Sequence, residues 1–151
     1  MSMHPHQLNI SLNDVHNLIC AQFPQWSDLT VRKVDSYGTV HALFRLGDIM
    51  VCRFNLQGAD ATMSRQQLEQ ESATSRELFG HTRFLTPLTY EIGTPGANYP
   101  LYWSIQSWLH GTVATLADPS YSVEFAQDLA EFISGVRTIN IGDRHFSGGA
   151  A

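Results

Sequence analysis

The stretch Asp35-Ser-Tyr-Gly-Thr-Val-His-Ala-Leu-Phe-Arg-Leu-Gly-Asp-Ile-Met-Val-Cys-Arg-Phe54 decides the fold. Val40 to Leu46 and Ile49 to Phe54 read as strands, and Gly47-Asp48 between them is a two-residue hairpin signal. Val31 to Val34, on the other side of the Gly38 turn, is a third strand, so three antiparallel strands are expected. A glycine turn followed one strand later by a basic residue has a chemical meaning. Turn amides can surround phosphate oxygens, and an arginine on the next strand can neutralise them. Gly38 and Arg53 stand in that relation.

Ser11 caps an expected helix whose third residue is Asp14. Leu12, Val15, Leu18, Ile19 and Phe23 follow at helical spacing until Pro24 stops it. Residues 55 to 62 are polar and contain Gly58, a loop. Met63 to Phe79 then carries glutamines, glutamates and alanines with a thin apolar stripe of Met63, Leu68, Leu78 and Phe79. That pattern predicts an exposed, movable helix closed by Gly80. Leu88 to Gly93 and Leu101 to Trp108 read as two further strands around the turn-forming Thr94-Pro-Gly-Ala-Asn98. Leu109-His-Gly111 breaks the pattern. Ser122 to Val136 is amphipathic, with Val123, Ala126, Leu129, Ala130, Ile133 and Val136 on one face. The glycine-rich tail after Ile141 is expected to be loose. The predicted architecture is α+β: a five-stranded antiparallel sheet with a movable helix, an N-terminal helix before it and an amphipathic C-terminal helix after it.

The chain has 151 residues, 43% of them hydrophobic, which suffices for one cored domain. A formal net charge of -5 and a single lysine, Lys33, argue against a nucleic-acid backbone or an anionic membrane as partner. No apolar run approaches the roughly 20 residues a bilayer requires, and the first residues lack a signal-peptide pattern. A cytoplasmic location is expected. Cys20 and Cys52 lie far apart, and two buried free thiols are expected rather than a disulfide. His4 and His6 could grip a transition metal, but a frayed terminus is the commoner meaning of such a pair. His81, His110 and His145 lack metal-ligand spacing. Trp26, Trp103 and Trp108 are assigned to core and connector packing rather than to ring stacking with a ligand.

Four blocks carry a resemblance: Ala21-Gln-Phe-Pro-Gln-Trp26, Gly38 to Gly47, Arg76-Glu-Leu-Phe-Gly-His-Thr-Arg-Phe84 and Gly96 to Gly111. In this order, with Asp128-Leu-Ala-Glu-Phe132 beyond them, the chain is similar to bacterial members of the aminoglycoside phosphotransferase family, which have a protein-kinase-like fold. The resemblance implies a nucleotide-binding N-terminal lobe over residues 1–109, with 110–151 as connector and first helix of a second lobe. It places Ser36, Tyr37, Gly38 and Thr39 over the ATP phosphates, where Gly38 permits close backbone approach. Arg53 would meet the α- and β-phosphates, with Glu71 as its partner and Glu69 as fallback. Gln106 would be the gatekeeper beside adenine, the Ser107 carbonyl would face the amino group, and the Leu109 amide would face a ring nitrogen. Many relatives have lysine where Arg53 stands and asparagine where His41 stands. A hairpin glycine, a sheet-edge arginine and a solvated glutamate are the ordinary alternatives for Gly38, Arg53 and Glu71.

The implied cofactor is ATP, with magnesium in the complete enzyme. The family's His-Gly-Asp-x-x-x-x-Asn loop and its later metal-binding aspartate have no counterpart here. The nearest approach is His110-Gly-Thr112, with Ala117 where the asparagine would stand. No catalytic residue and no metal ligand is therefore assigned, and turnover by this chain alone is not expected. Deliberate truncation, a frameshift or gene decay would each account for the shortness. Three functions compete: the ATP-binding lobe of a small-molecule O-kinase that meets its acceptor only through the second lobe; a decayed, non-catalytic interaction module; or an unrelated α+β fold. The helix at 122–136 would lack part of its packing partner, so homo-oligomeric self-association or a swapped contact is expected through it.

Overall fold

A computed structural model describes residues 7–35, 38 and 40–145. The helices are α1 (Leu12–Gln22), α2 (Ala61–Leu78), α3 (Ala114–Ala117) and α4 (Val123–Arg137). The strands are β1 (Val31–Val34), β2 (His41–Leu46), β3 (Met50–Asn55), β4 (Thr89–Gly93) and β5 (Trp103–Ser107). They form one antiparallel sheet in the order β1-β2-β3-β5-β4. The α+β architecture expected from the sequence is the one observed.

Register decides which residues share a face, because side chains alternate along a strand and directly paired residues point the same way. His41 pairs with Asn55, Leu43 with Arg53 and Arg45 with Val51. Arg53 in turn pairs with Ser104, and Val51 with Gln106. One face therefore carries His41, Leu43, Arg45, Val51, Arg53, Asn55, Ser104 and Gln106. The other carries Phe44, Leu46, Met50, Cys52, Phe54, Trp103 and Ile105, which close a core with Val15, Leu18 and Ile19 of α1. Trp103 is stacked on Phe54 at 4.9 Å and edge-on to Phe23 at 5.7 Å. Trp26 packs against the same core and Trp108 lies under the Arg45 guanidinium, so all three tryptophans serve packing.

α1 starts as its sequence requires. The Ser11 hydroxyl accepts from the Asp14 amide while the Asp14 carboxylate accepts from the Ser11 amide, a reciprocal capping box. Asp14 also accepts from the Asn98 side chain at 2.8 Å, and Gln22 exchanges two hydrogen bonds with Thr94. These contacts pin α1 to the β4–β5 loop. The β4–β5 pairing tolerates no side chain at Gly93, because a Cβ there would lie inside the Trp103 ring.

Several boundaries differ from the sequence expectation. The hairpin loop has three residues, Gly47 to Ile49, since Leu46 pairs directly with Met50. Gly47 takes the left-handed conformation with φ +59°, and Ile49 is 64% exposed in the turn rather than in a strand. Val40, Leu88, Leu101 and Tyr102 flank strands without joining them. α2 begins at Ala61, because the Asp60 carboxylate caps it by accepting from the amides of Thr62 and Met63. Met63 and Phe79 are exposed, and the buried side of α2 is Ser64 and Ser72, small residues that let the helix approach the sheet closely. Cys20 is exposed on α1, one position past the buried Leu18–Ile19 stripe, while Cys52 is buried; both are free. Burial pushes the Cys52 thiol up to about 12, which makes it inert near neutral pH.

α4 has the expected N-cap, with the Ser122 hydroxyl accepting from the Phe125 amide. It docks on residues 81–84 by a different face from the apolar one. Arg83 pairs with Asp128 and Glu131, Phe132 meets Phe84, and Gly135 leaves so little room that a Cβ would be 2.6 Å from the His81 carbonyl oxygen. Val123, Leu129 and Ile133 face outward. The short α3 and the 3-10 turn Pro119–Tyr121 were not expected from the sequence. His4, His6 and residues 146–151 lie outside the described residues. Among the described residues no helix is long and apolar enough to cross a membrane.

Candidate nucleotide site

The polar face of the sheet and the inner side of α2 enclose a small set of charged groups. Arg53 projects from the middle of β3, and its Nη1 donates to Glu71 Oε2 at 2.7 Å. The other Glu71 oxygen accepts from Gln67 Nε2 at 3.0 Å, one turn earlier on α2. The carboxylate is therefore held from two sides. The two side chains are 26% and 35% exposed, so the pair is part-buried but within reach of solvent. Glu69, the alternative partner, binds Arg65 on the outer side of the helix instead.

Two hollows meet at His41, one of them at the pair. A tight one is lined by Arg53, Glu71, Gln67, Asn55, Ser64, Tyr102 and His41. A larger one, about 470 Å³, lies at the β1–β2 end of the sheet, with Gly38, Lys33, Asp35, His41 and Leu43 among its walls. His41 alone lines both, and Leu43 is the direct cross-strand partner of Arg53. Gly38 and Arg53 thus open on adjoining spaces rather than one shared cavity. Among the described residues, a Cβ at Gly38 would meet no heavy atom within 4 Å. No packing against the described residues requires a glycine there. Ser36, Tyr37 and Thr39 lie outside the described residues.

Sequence reasoning named Gly38, Arg53 and Glu71 but not His41 as a site residue. Only the observed register, with Leu43 opposite Arg53, puts His41 on the same face. The imidazole is half-buried, and burial with the nearby Arg53 charge lowers its pKa below the usual value, partly opposed by Glu71.

The remaining candidates sit at the far end of β5. Gln106 lines a cavity of about 430 Å³ with Glu71, Ser75 and Thr89, and its amide donates to the Ser104 hydroxyl. Ser107 is tied to the chain before β4: its amide donates to the Leu88 carbonyl and its hydroxyl accepts from the Leu88 amide. Leu109 is half-buried just past the strand. Arg45 lies over the Trp108 ring at 4.4 Å, which closes this end of the face. Gln106 and the Arg53–Glu71 pair therefore share a wall, whereas Gly38 is at the opposite end of the sheet face. Among the described residues no three His, Cys, Asp or Glu side chains converge as an all-protein metal site would need.

No protein-family model matches the chain, and no curated protein matches it. Solved structures do. The GDP complex of wild-type aminoglycoside 2'-phosphotransferase-IIIa is similar with a TM-score of 0.67 at 16% identity, over 87% of this chain and 44% of that one. The GDP and kanamycin complex of APH(2")-IIIa is similar with a TM-score of 0.66 at 18% identity, over 87% of this chain and 43% of that one. The chain has the kinase-like N-terminal-lobe fold found in these phosphotransferases, and it spans less than half of their length.

Proposed function

We propose that this chain is the nucleotide-binding lobe of a small-molecule O-phosphotransferase of the aminoglycoside phosphotransferase type. One observation carries the reading. On a fold shared with GDP-bound phosphotransferases, the inward-facing arginine of β3 is held at 2.7 Å by a carboxylate from α2. A planar guanidinium fixed in this way presents its remaining N–H groups toward the space where a polyphosphate would lie, and its fork suits phosphate oxygens. Residues 36–39 would lie over the phosphates, with Gly38 giving them room. Gln106, the Ser107 carbonyl and the Leu109 amide would meet the base. Residues 1–109 form this lobe in the proposal, and 110–151 lead from it.

Transfer of the terminal phosphoryl group of ATP to a hydroxyl requires a base that orients the nucleophile and oxygens that hold magnesium. The sequence contains no such aspartate loop, and among the described residues there is no metal-ligand cluster. Lacking both, the chain is assigned binding and orientation of the nucleotide, with chemistry supplied by a second lobe. Such electrostatic groups account for several powers of ten in rate.

The test is calorimetric titration of the chain with ATP and, because the similar structures hold GDP, with GTP. Binding in the high micromolar to millimolar range is expected, about tenfold or more weaker in Arg53→Ala. Absence of heat and of thermal stabilisation at millimolar nucleotide would favour a second reading, a non-catalytic interaction module. That alternative has its own support, since Val123 is 71% exposed and Leu129 and Ile133 nearly half exposed on α4. It requires self-association that rises with concentration and is lost in Leu129→Glu.

A further inference from the structure

We propose that His41 is a further phosphate-binding residue, placed where the glycine-turn hollow meets the Arg53–Glu71 hollow, and that it makes nucleotide affinity rise as pH falls. The inference rests on the nucleotide reading above. Its basis is position: among the described residues His41 alone lines both spaces. It shares the face of Arg53 through the β2–β3 register, and its cross-strand partner is the uncharged Asn55. A polyphosphate that spans the two hollows would lie against this imidazole, the residue common to both.

The charges around it set the sign. From β3 it faces Arg53, from α2 it faces Glu71, and Lys33 and Asp35 of the β1 end line the larger hollow with it. Lys33 and Asp35 oppose one another, and Arg53 is already paired with Glu71 at 2.7 Å. The site therefore has little positive charge in excess for a ligand carrying several negative ones. In the free protein, burial and Arg53 hold the imidazole pKa below its ordinary value, so it is neutral at neutral pH. A polyphosphate beside it favours the charged form and raises that pKa. Binding then takes up a proton. Affinity climbs as pH falls through the bound-state pKa and levels off below the free-state pKa, gaining about tenfold for each unit by which the ligand raises the pKa. Neutral imidazole still donates one hydrogen bond, so the contact persists at higher pH with lower strength.

The experiment titrates ATP into the wild-type chain and into His41→Asn from about pH 8 to about pH 5.5, spanning the ordinary histidine range. Titration of the nucleotide's own terminal phosphate is common to both proteins. The wild type should tighten by at least about threefold more than His41→Asn over this range. Parallel pH dependences would overturn the role of His41 and leave the nucleotide reading standing. Absence of binding in both would overturn the two together. A second measurement needs no substitution: the imidazole resonance of His41, followed by NMR, should titrate at higher pH with ATP present than without. An unchanged midpoint in nucleotide-saturated protein would equally overturn the proposal.

Discussion

Arg53 Nη1 lies 2.7 Å from Glu71 Oε2, which ties the centre of β3 to the third turn of α2. Few other strong contacts fix this helix on the sheet. Ser64 accepts from the Tyr102 amide, Ser75 donates to the Pro87 carbonyl, and the buried residues of α2 are two serines. The ion pair is thus both a structural tie and the organiser of the proposed phosphate contact.

Glu71→Gln should therefore keep a hydrogen bond to Arg53 while removing its charge, and Glu71→Ala should remove both. For a part-buried pair we expect a stability loss of about 1 kcal/mol in Glu71→Ala and less in Glu71→Gln, measured by urea unfolding. Nucleotide affinity should fall more in Glu71→Ala, because the guanidinium loses its orientation. Equal affinities in the two variants would show that orientation by Glu71 does not matter.

Two glycines separate fold from function. Gly93→Ala drives a methyl into the Trp103 ring, fully buried in the core, and should cost about 1–3 kcal/mol in thermal or denaturant melts. Gly38→Ala meets open space, so its stability should stay within about 0.5 kcal/mol of wild type while nucleotide binding weakens. A Gly38→Ala variant that binds nucleotide normally would show that the turn does not approach the phosphates.

The capping box gives a pH signature. Hydrogen bonds from the Ser11 hydroxyl, the Ser11 amide and Asn98 hold the Asp14 carboxyl below its ordinary pKa. The unfolded chain, with Asp at about 3.9, then binds more protons than the folded one in that range. This contribution is fully present above the unfolded pKa and is lost as pH falls through the lower folded value. Unfolding curves of wild type and Asp14→Ala should converge on acidification below about pH 4 and stay separated by a constant gap at neutral pH. A gap that does not narrow would show that the charged form of Asp14 is not what stabilises the cap.

Local chemistry made the elements legible in the sequence. The Ser11–Asp14 box, the Gly47 turn, the Ser122 cap and the alternation around Phe44 and Cys52 each reflect forces that act over a few residues. The Arg53–Glu71 pairing came from resemblance, since nothing in the spacing of the two residues selects one glutamate on a helix that also has Glu69 and Glu77. Contacts that join distant parts were invisible: Asn98 on Asp14, Gln22 on Thr94 and Arg144 on Glu77 connect residues 67 to 84 apart. The docking face of α4 was not legible in the sequence for a related reason. Periodicity identified its apolar side, but Arg83, Phe84 and the small Gly135 determine which side meets the lobe. His41 was passed over because a lone histidine on a strand has no spacing signature, and only the register reveals what it faces.

The most direct test of the central claim is amide and side-chain chemical-shift mapping of the isotope-labelled chain during an ATP titration. Shifts should concentrate on Gly38, His41, the Arg53 guanidinium and residues 106–109, and should vanish in Arg53→Ala while that variant keeps its dispersed, folded spectrum. An unperturbed wild-type spectrum at millimolar ATP, or shifts confined to surfaces away from the β2–β3 face, would contradict the assignment of this face as a nucleotide site.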